Sequence, residues 1–209
     1  MPVVIPEDSP IRVYFTQRLI DTNPAGWVRD VVLLASEGNL GPTGFQDAIA
    51  QHGLTKEQGL RKAALDLILD FIAWALERGT MTPGVLKQVD ELKRFMDVRE
   101  GEFFAFRPVE VATLLTSQLD RILQDLTIDG AEDLYQVELQ AAFDLGYDQY
   151  FALTRRAFEA AMEDWRLQFE RAIEGRDTAA VIILERKGRA LEPVVNLALA
   201  QPRSLGALY

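Results

Sequence analysis

Apolar residues recur at intervals of three and four along nearly the whole chain, the spacing that lines one face of an α-helix. Ser9-Pro10 reads as a helix start: a hydroxyl N-cap, then a proline whose missing N–H costs nothing in the first turn. Ile11, Tyr14, Phe15 and Leu19 then share a face. Asn23-Pro24 repeats the device ahead of Trp27, Val28, Val31 and Leu34, with Gly38 as the stop and GNLGP as a loop. A short helix around Phe45, Ala48 and Ile49 ends at Gly53. Thr55 and Gln58 form a capping box for a helix over about residues 56–78. Leu60, Ala64, Leu67, Ile68, Phe71, Ile72 and Ala75 cover more than half its circumference, which marks a helix central to its bundle. Trp74, off that arc, calls for a second neighbour.

Gly79 breaks this helix, and Thr82-Pro83 starts the next as N-cap and first residue, with Val85, Val89, Leu92 and Met96 on one face. Arg107-Pro108 opens another, with Val111, Leu114, Leu115, Leu119, Ile122 and Leu123 apolar. Asp129 caps a helix to about Asp144, and Gly146 stops it as a left-handed C-cap. Asp148 begins a long helix to about Glu174, with Phe151, Phe158, Met162, Trp165 and Phe169 along it. Past Gly175, the runs AVIIL and PVVNLALA suit either helices or the arms of a hairpin; Asp177 as an N-cap and the helical neighbours favour helix. The tail QPRSLGALY is expected to be loose unless a partner or a second copy holds it.

Two stretches, residues 80–106 and 127–153, align at an offset of 47 with six identities in 27 positions. Thr80, Glu91, Leu92, Asp97, Phe104 and Ala105 meet Thr127, Glu138, Leu139, Asp144, Phe151 and Ala152. Each reads as the end of one helix, a turn, a second helix ending near an Asp, and the start of an aromatic third. The expected architecture is all-α: one domain over residues 1–209, about eight or nine helices, with this pseudo-repeated pair of units around the central helix. Residues 177–209 then either close the core of the chain itself or form a dimerisation arm.

With 48% apolar residues the chain has enough to bury a sizeable core. Its 32 acids against 22 bases, a formal charge of −10, argue against a general nucleic-acid binder and against docking to an anionic membrane. The absence of cysteine suits a reducing cytoplasm, and MPVVIPEDSP has neither the basic region nor the apolar run of a signal peptide. The most apolar segment, Leu65 to Leu76, is interrupted by Asp66 and Asp70 and is too short to span a bilayer.

Much chemistry is excluded by residue type. Without cysteine there is no thiolate, and a single histidine, His52, rules out every motif that needs two. No serine sits in a G-x-S-x-G context, and no phosphate or dinucleotide fingerprint occurs. His52 precedes the stop Gly53, where the helix dipole favours its cation. Carboxylates remain, and DLTIDGAED gathers Asp125, Asp129, Glu132 and Asp133. Asp125, Thr127, Asp129, Gly130, Asp133 and Gln136 partly fit a calcium loop, but Gln136 stands where a bidentate carboxylate belongs and Glu132 where an apolar residue does. The plainer reading is Asp129 as an N-cap with acids in the first turn. Glu159, Glu163 and Asp164, with Asp144 or Asp148, form a second candidate metal cluster, although Arg155 and Arg166 lie close enough to pair with them.

The stretch DLTIDGAEDLYQVELQAAFDLGYDQYFAL resembles the TerB-like (tellurite-resistance) helical domains. Asp125 fits the first acid of their motif, Ile128 the apolar turn residue, Glu132 the second acid and Leu145-Gly146-Tyr147 the stop. The sequence departs at Leu126, where that family has glycine, and the earlier copy, ERGTMTPGV, has Arg78 and Val85 in place of the acids. The resemblance covers about residues 67–154. It implies an all-α fold of paired helical units, a divalent-ion site, and a role in stress response or defence through protein contacts rather than turnover. The expected function is therefore a non-enzymatic cytoplasmic interaction protein with a protein partner or a second copy. The alternatives are a divalent-metal sensor or metal-dependent hydrolase at the acidic turn, and an acidic inhibitor or immunity-type protein that sequesters a basic partner.

Overall fold

The computed structural model describes residues 5–54, 58–79, 81–126 and 130–200. Among them stand ten α-helices and no β-strand, so the chain is all-α, with one helix more than the upper expectation. Two compact units divide it, Met1–Arg107 and Pro108–Tyr209.

The first unit holds α1 (Pro10–Thr22), α2 (Gly26–Ser36), α3 (Gly44–Gln51), α4 (Gln58–Arg78), α5 (Pro83–Phe95) and α6 (Glu102–Phe106). Ile68, Phe71 and Ile72 of α4 are fully buried, as their wide apolar arc requires, and α4 packs on both α1 and α5. Trp74 finds its second neighbour in Tyr14 of α1, ring centres 5.5 Å apart, and stacks on Phe71 at 6.1 Å. The two acids that interrupt the apolar run Leu65–Leu76 are paired: Asp70 accepts from Arg18 Nη1 at 2.7 Å, and Asp66 takes both Nε and Nη2 of Arg107, at 2.5 and 2.6 Å. Phe45 of α3 contacts Trp27 of α2 and Phe95 of α5, each at 6.2 Å, which ties the three helices together.

The helix starts depart from the local reading in two places. Ser9 has the extended backbone of an N-cap, but its hydroxyl is buried and finds no partner among the described residues. Gln88 Oε1 of α5 instead accepts the first-turn N–H of Ile11 at 2.8 Å. Asn23 does not open the second helix; it takes the left-handed conformation at the end of α1 (φ 40°), and α2 begins at Gly26. Gly38 does follow α2, at φ +74°, and a Cβ there would lie 3.1 Å from both Arg12 Cδ and Ile5 Cβ. Thr82 caps α5 as expected, its Oγ1 accepting from Val85 N at 3.3 Å. The Thr55–Gln58 box and the Asp129 cap lie outside the described residues.

The second unit holds α7 (Pro108–Ile122), a short 3-10 turn (Leu123–Asp125), α8 (Gly130–Ala142), α9 (Tyr147–Glu174) and α10 (Thr178–Ala200). Tyr135 of α8 donates its hydroxyl to Gln118 of α7 at 2.8 Å, and Tyr150 of α9 donates to Gln136 of α8 at 3.2 Å. Residues 178–200 are helical, not a hairpin, and Asp177 Oδ1 caps them by accepting from Ala180 N at 3.0 Å. On α10, Leu184, Gly188, Leu191, Val195 and Ala198 are buried, and α9 and α10 pack on each other. Gly188 admits the Trp165 ring, whose Nε1–H donates to Leu184 O at 2.7 Å.

The 47-residue offset recurs in the backbone. Pro83–Phe95 and Gly130–Ala142 are bounded at corresponding positions. Asp97 and Asp144 are both left-handed, φ 54° and 51°. Val98 N bonds to Lys93 O at 2.8 Å, and Leu145 N to Gln140 O at 3.0 Å. Glu102 Oε2 accepts from Arg99 N at 3.1 Å, and Gln149 Oε1 from Gly146 N at 2.9 Å, the same cap 47 residues on. Gly146 is therefore the start of α9 (φ −66°), not the left-handed stop of α8; that role falls to Asp144, because the six-residue closing bond defines where the left-handed residue must sit.

Candidate functional site

The acidic turn joins α7 to α8. Asp125 ends the 3-10 turn, Leu126 follows in the left-handed conformation (φ 60°), and Glu132 and Asp133 lie in the first turn of α8. Glu132 is half-buried; Asp129 and the side chains of Asp125 and Asp133 lie outside the described set. The second half of the calcium-loop register, from Gly130 on, lies in α8. Gly130, its sixth position, already begins α8, and Gln136, its twelfth, is buried within the helix and accepts from Tyr150. Among the described residues no three His, Asp or Glu side chains converge as metal ligands would.

The second acidic cluster is spread along α9 and engaged along its own helix. Arg155 Nε donates to Glu159 Oε1 at 2.8 Å. Arg166 donates to Glu163 at 2.7 and 2.9 Å, and to Glu170 at 2.5 Å. Asp164 accepts from Gln168 Nε2 at 2.8 Å. The Arg166 hydrogen bond holds the Glu163 carboxyl below its usual range. These are i, i+3 and i, i+4 pairs; those of Arg166 and Asp164 are exposed and of the kind that solvate a helix face, while Arg155 is itself buried.

In the first unit the lone histidine has a partner. His52, just past α3, places Nε2 2.8 Å from Asp30 Oδ2 of α2, both half-exposed. Asp30 also lines a groove of about 390 Å³ between α2 and α3, with Leu33, Leu34, Asn39, Thr43, Asp47 and Gln51. The groove follows from local sequence: GNLGPTG turns the chain tightly, so two short helices pack over their apolar residues and leave their polar edges facing. Its lining carries two carboxylates, two amides and a hydroxyl above an apolar floor, and no Lys or Arg. Such a lining offers negative charge and hydrogen-bond acceptors. Sequence reasoning missed it because Asp30 and Asp47 are 17 positions apart and share no motif.

Tyr14 is perturbed as well. Burial pushes its phenol up to about 12, against the nearby Arg18, whose Nη1 donates to the hydroxyl at 2.8 Å. It lies in the packing between α1 and α4, not at an open surface. Compared with protein-family models, curated proteins and solved structures, the chain gives no significant match. No helix among the described residues is long and apolar enough to cross a membrane.

Proposed function

We propose that this chain is a non-enzymatic interaction scaffold of the cytoplasm, and that α10 is the surface through which it pairs with a second copy. The observation that carries this is a second apolar flank on α10. Beside the buried stripe of Leu184, Leu191 and Ala198 runs another, Ile183, Ala190 and Leu197, repeating every seven residues with Val194 between them. Ile183 is 55% and Leu197 45% exposed. Seven-residue spacing keeps such residues in one seam between paired helices. In an antiparallel pairing about Ala190, Ile183 of one copy meets Leu197 of the other, and the small central residue lets the axes approach.

The arginine pairing of the α9 carboxylates supports a structural use of those acids rather than acid–base chemistry. The TerB-like pattern in residues 67–154 adds stress response or defence as the setting. Sedimentation equilibrium tests the pairing. The unaltered chain is expected to sediment as a dimer at micromolar concentration, and Ile183→Glu with Leu197→Glu as a monomer of unchanged helical content. A monomeric unaltered chain, or a dimer indifferent to both charges, would refute the assignment of α10.

A further inference from the structure

We infer that the groove between α2 and α3 binds an aliphatic cation: an ammonium or guanidinium carried on an apolar stem. Its volume of about 390 Å³ is that of a small-ligand site, where cavities run to roughly 300–1,000 Å³. The sign of the charge follows from the lining. Asp30 and Asp47 contribute two carboxylates, and no lining residue is basic. The N-terminal end of α3 borders the groove at Gly44 and would favour an anion, but Asp47 in that first turn already answers it.

His52 Nε2 lies 2.8 Å from Asp30 Oδ2, which fixes the carboxylate and leaves Oδ1 outside that contact. Asn39 and Gln51 add amide oxygens, so a cation with several N–H donors meets several acceptors. Leu34 and Ala48 give the stem an apolar wall. A bare divalent ion suits the site less well, because among the described residues no three His, Asp or Glu side chains converge as its ligands would.

The test is a titration of the full chain labelled with ¹⁵N, using agmatine, acetyl-arginine amide and, as a neutral control, pentanol. Agmatine is expected to give saturable shifts at the amides of Asn39, Gly41 and Gly44. Asp30→Asn and Asp47→Asn, each made singly, should weaken it by about tenfold, the loss of a charge-assisted hydrogen bond. Asp164→Asn on α9 should leave it unchanged. If either helix variant fails to fold, Asn39→Ala, which alters only the connecting loop, should still weaken binding several-fold. Agmatine binding far tighter than acetyl-arginine amide identifies a free small cation as the ligand; comparable binding identifies a partner's arginine side chain. The absence of saturable shifts at millimolar agmatine, equal shifts with pentanol, or full affinity in both Asp variants would each overturn the inference.

Discussion

Replacing Gly188 by alanine puts a methyl group where the Trp165 ring already lies. On an open helix face this substitution stabilises by about 1 kcal/mol, since glycine has more freedom to lose on folding. Here the new Cβ would stand 2.5 Å from Trp165 Cζ2, 2.6 Å from Cε2 and 2.9 Å from Nε1. Carbon atoms at rest prefer roughly 3.5–4.0 Å, so the ring or the helix must move. The ring is not free to do so cheaply. It donates to Leu184 O at 2.7 Å and stacks on Phe169, ring centres 5.3 Å apart at 18°. Overpacking costs about 1–3 kcal/mol and the displaced indole hydrogen bond about 1 more, against the helix gain of about 1. The net expectation is a loss of about 1–3 kcal/mol. Urea unfolding followed by circular dichroism reads this as a lower midpoint at an unchanged slope. Trp165→Phe, whose smaller ring vacates most of that space, should make the same glycine change far less costly, a coupling that a double-mutant cycle isolates. A raised midpoint for Gly188→Ala would refute the close approach of α9 and α10.

Three further outcomes are expected. Gln88→Leu should cost about 1–2 kcal/mol by leaving the Ile11 N–H without its acceptor, whereas Ser9→Ala should stay within about 0.5 kcal/mol of the unaltered chain; equal losses in chemical denaturation would restore Ser9 as the cap. Arg176 follows α9 at φ 54° and is exposed, so Arg176→Gly should raise stability by about 1 kcal/mol in the same assay. Tyr14 keeps its proton in the folded state up to about pH 12, while the unfolded chain releases it near pH 10. Its contribution is therefore complete below pH 10 and lost as the pH rises to 12, so Tyr14→Phe should flatten the alkaline fall in stability across that window.

What could be read from the sequence was what neighbouring residues decide among themselves. The buried faces of α4, α5 and α7, the Thr82 cap and the Asp177 cap follow from spacing within a turn or two. The left-handed residue that closes α8 is Asp144, not the glycine two positions on, Gly146. A nearby glycine lowers the cost of that conformation, but the closing hydrogen bonds of the preceding helix decide which residue adopts it. The cap on α1 comes from 77 positions away and leaves no local trace. The arginine partners of the α9 acids were visible because they share a helix. The groove was not, because its lining converges only when α2 packs on α3.

The paired units differ most in their third helix: α6 has five residues and α9 has 28. Arg107 and Pro108 follow α6; at the same register after α9 has begun stand Thr154 and Arg155. Proline forbids its predecessor the helical region, and Arg107 accordingly leaves the helix at φ −138°. Thr154 and Arg155 carry no such veto, so α9 runs on to Glu174, nearly six turns beyond the shared template. That overhang has an apolar side and nothing in the template to shelter it, and α10 folds back to do so. One imino acid thus separates a stub from a spar, and the chain's whole C-terminal hairpin is conditional on its omission from the second unit.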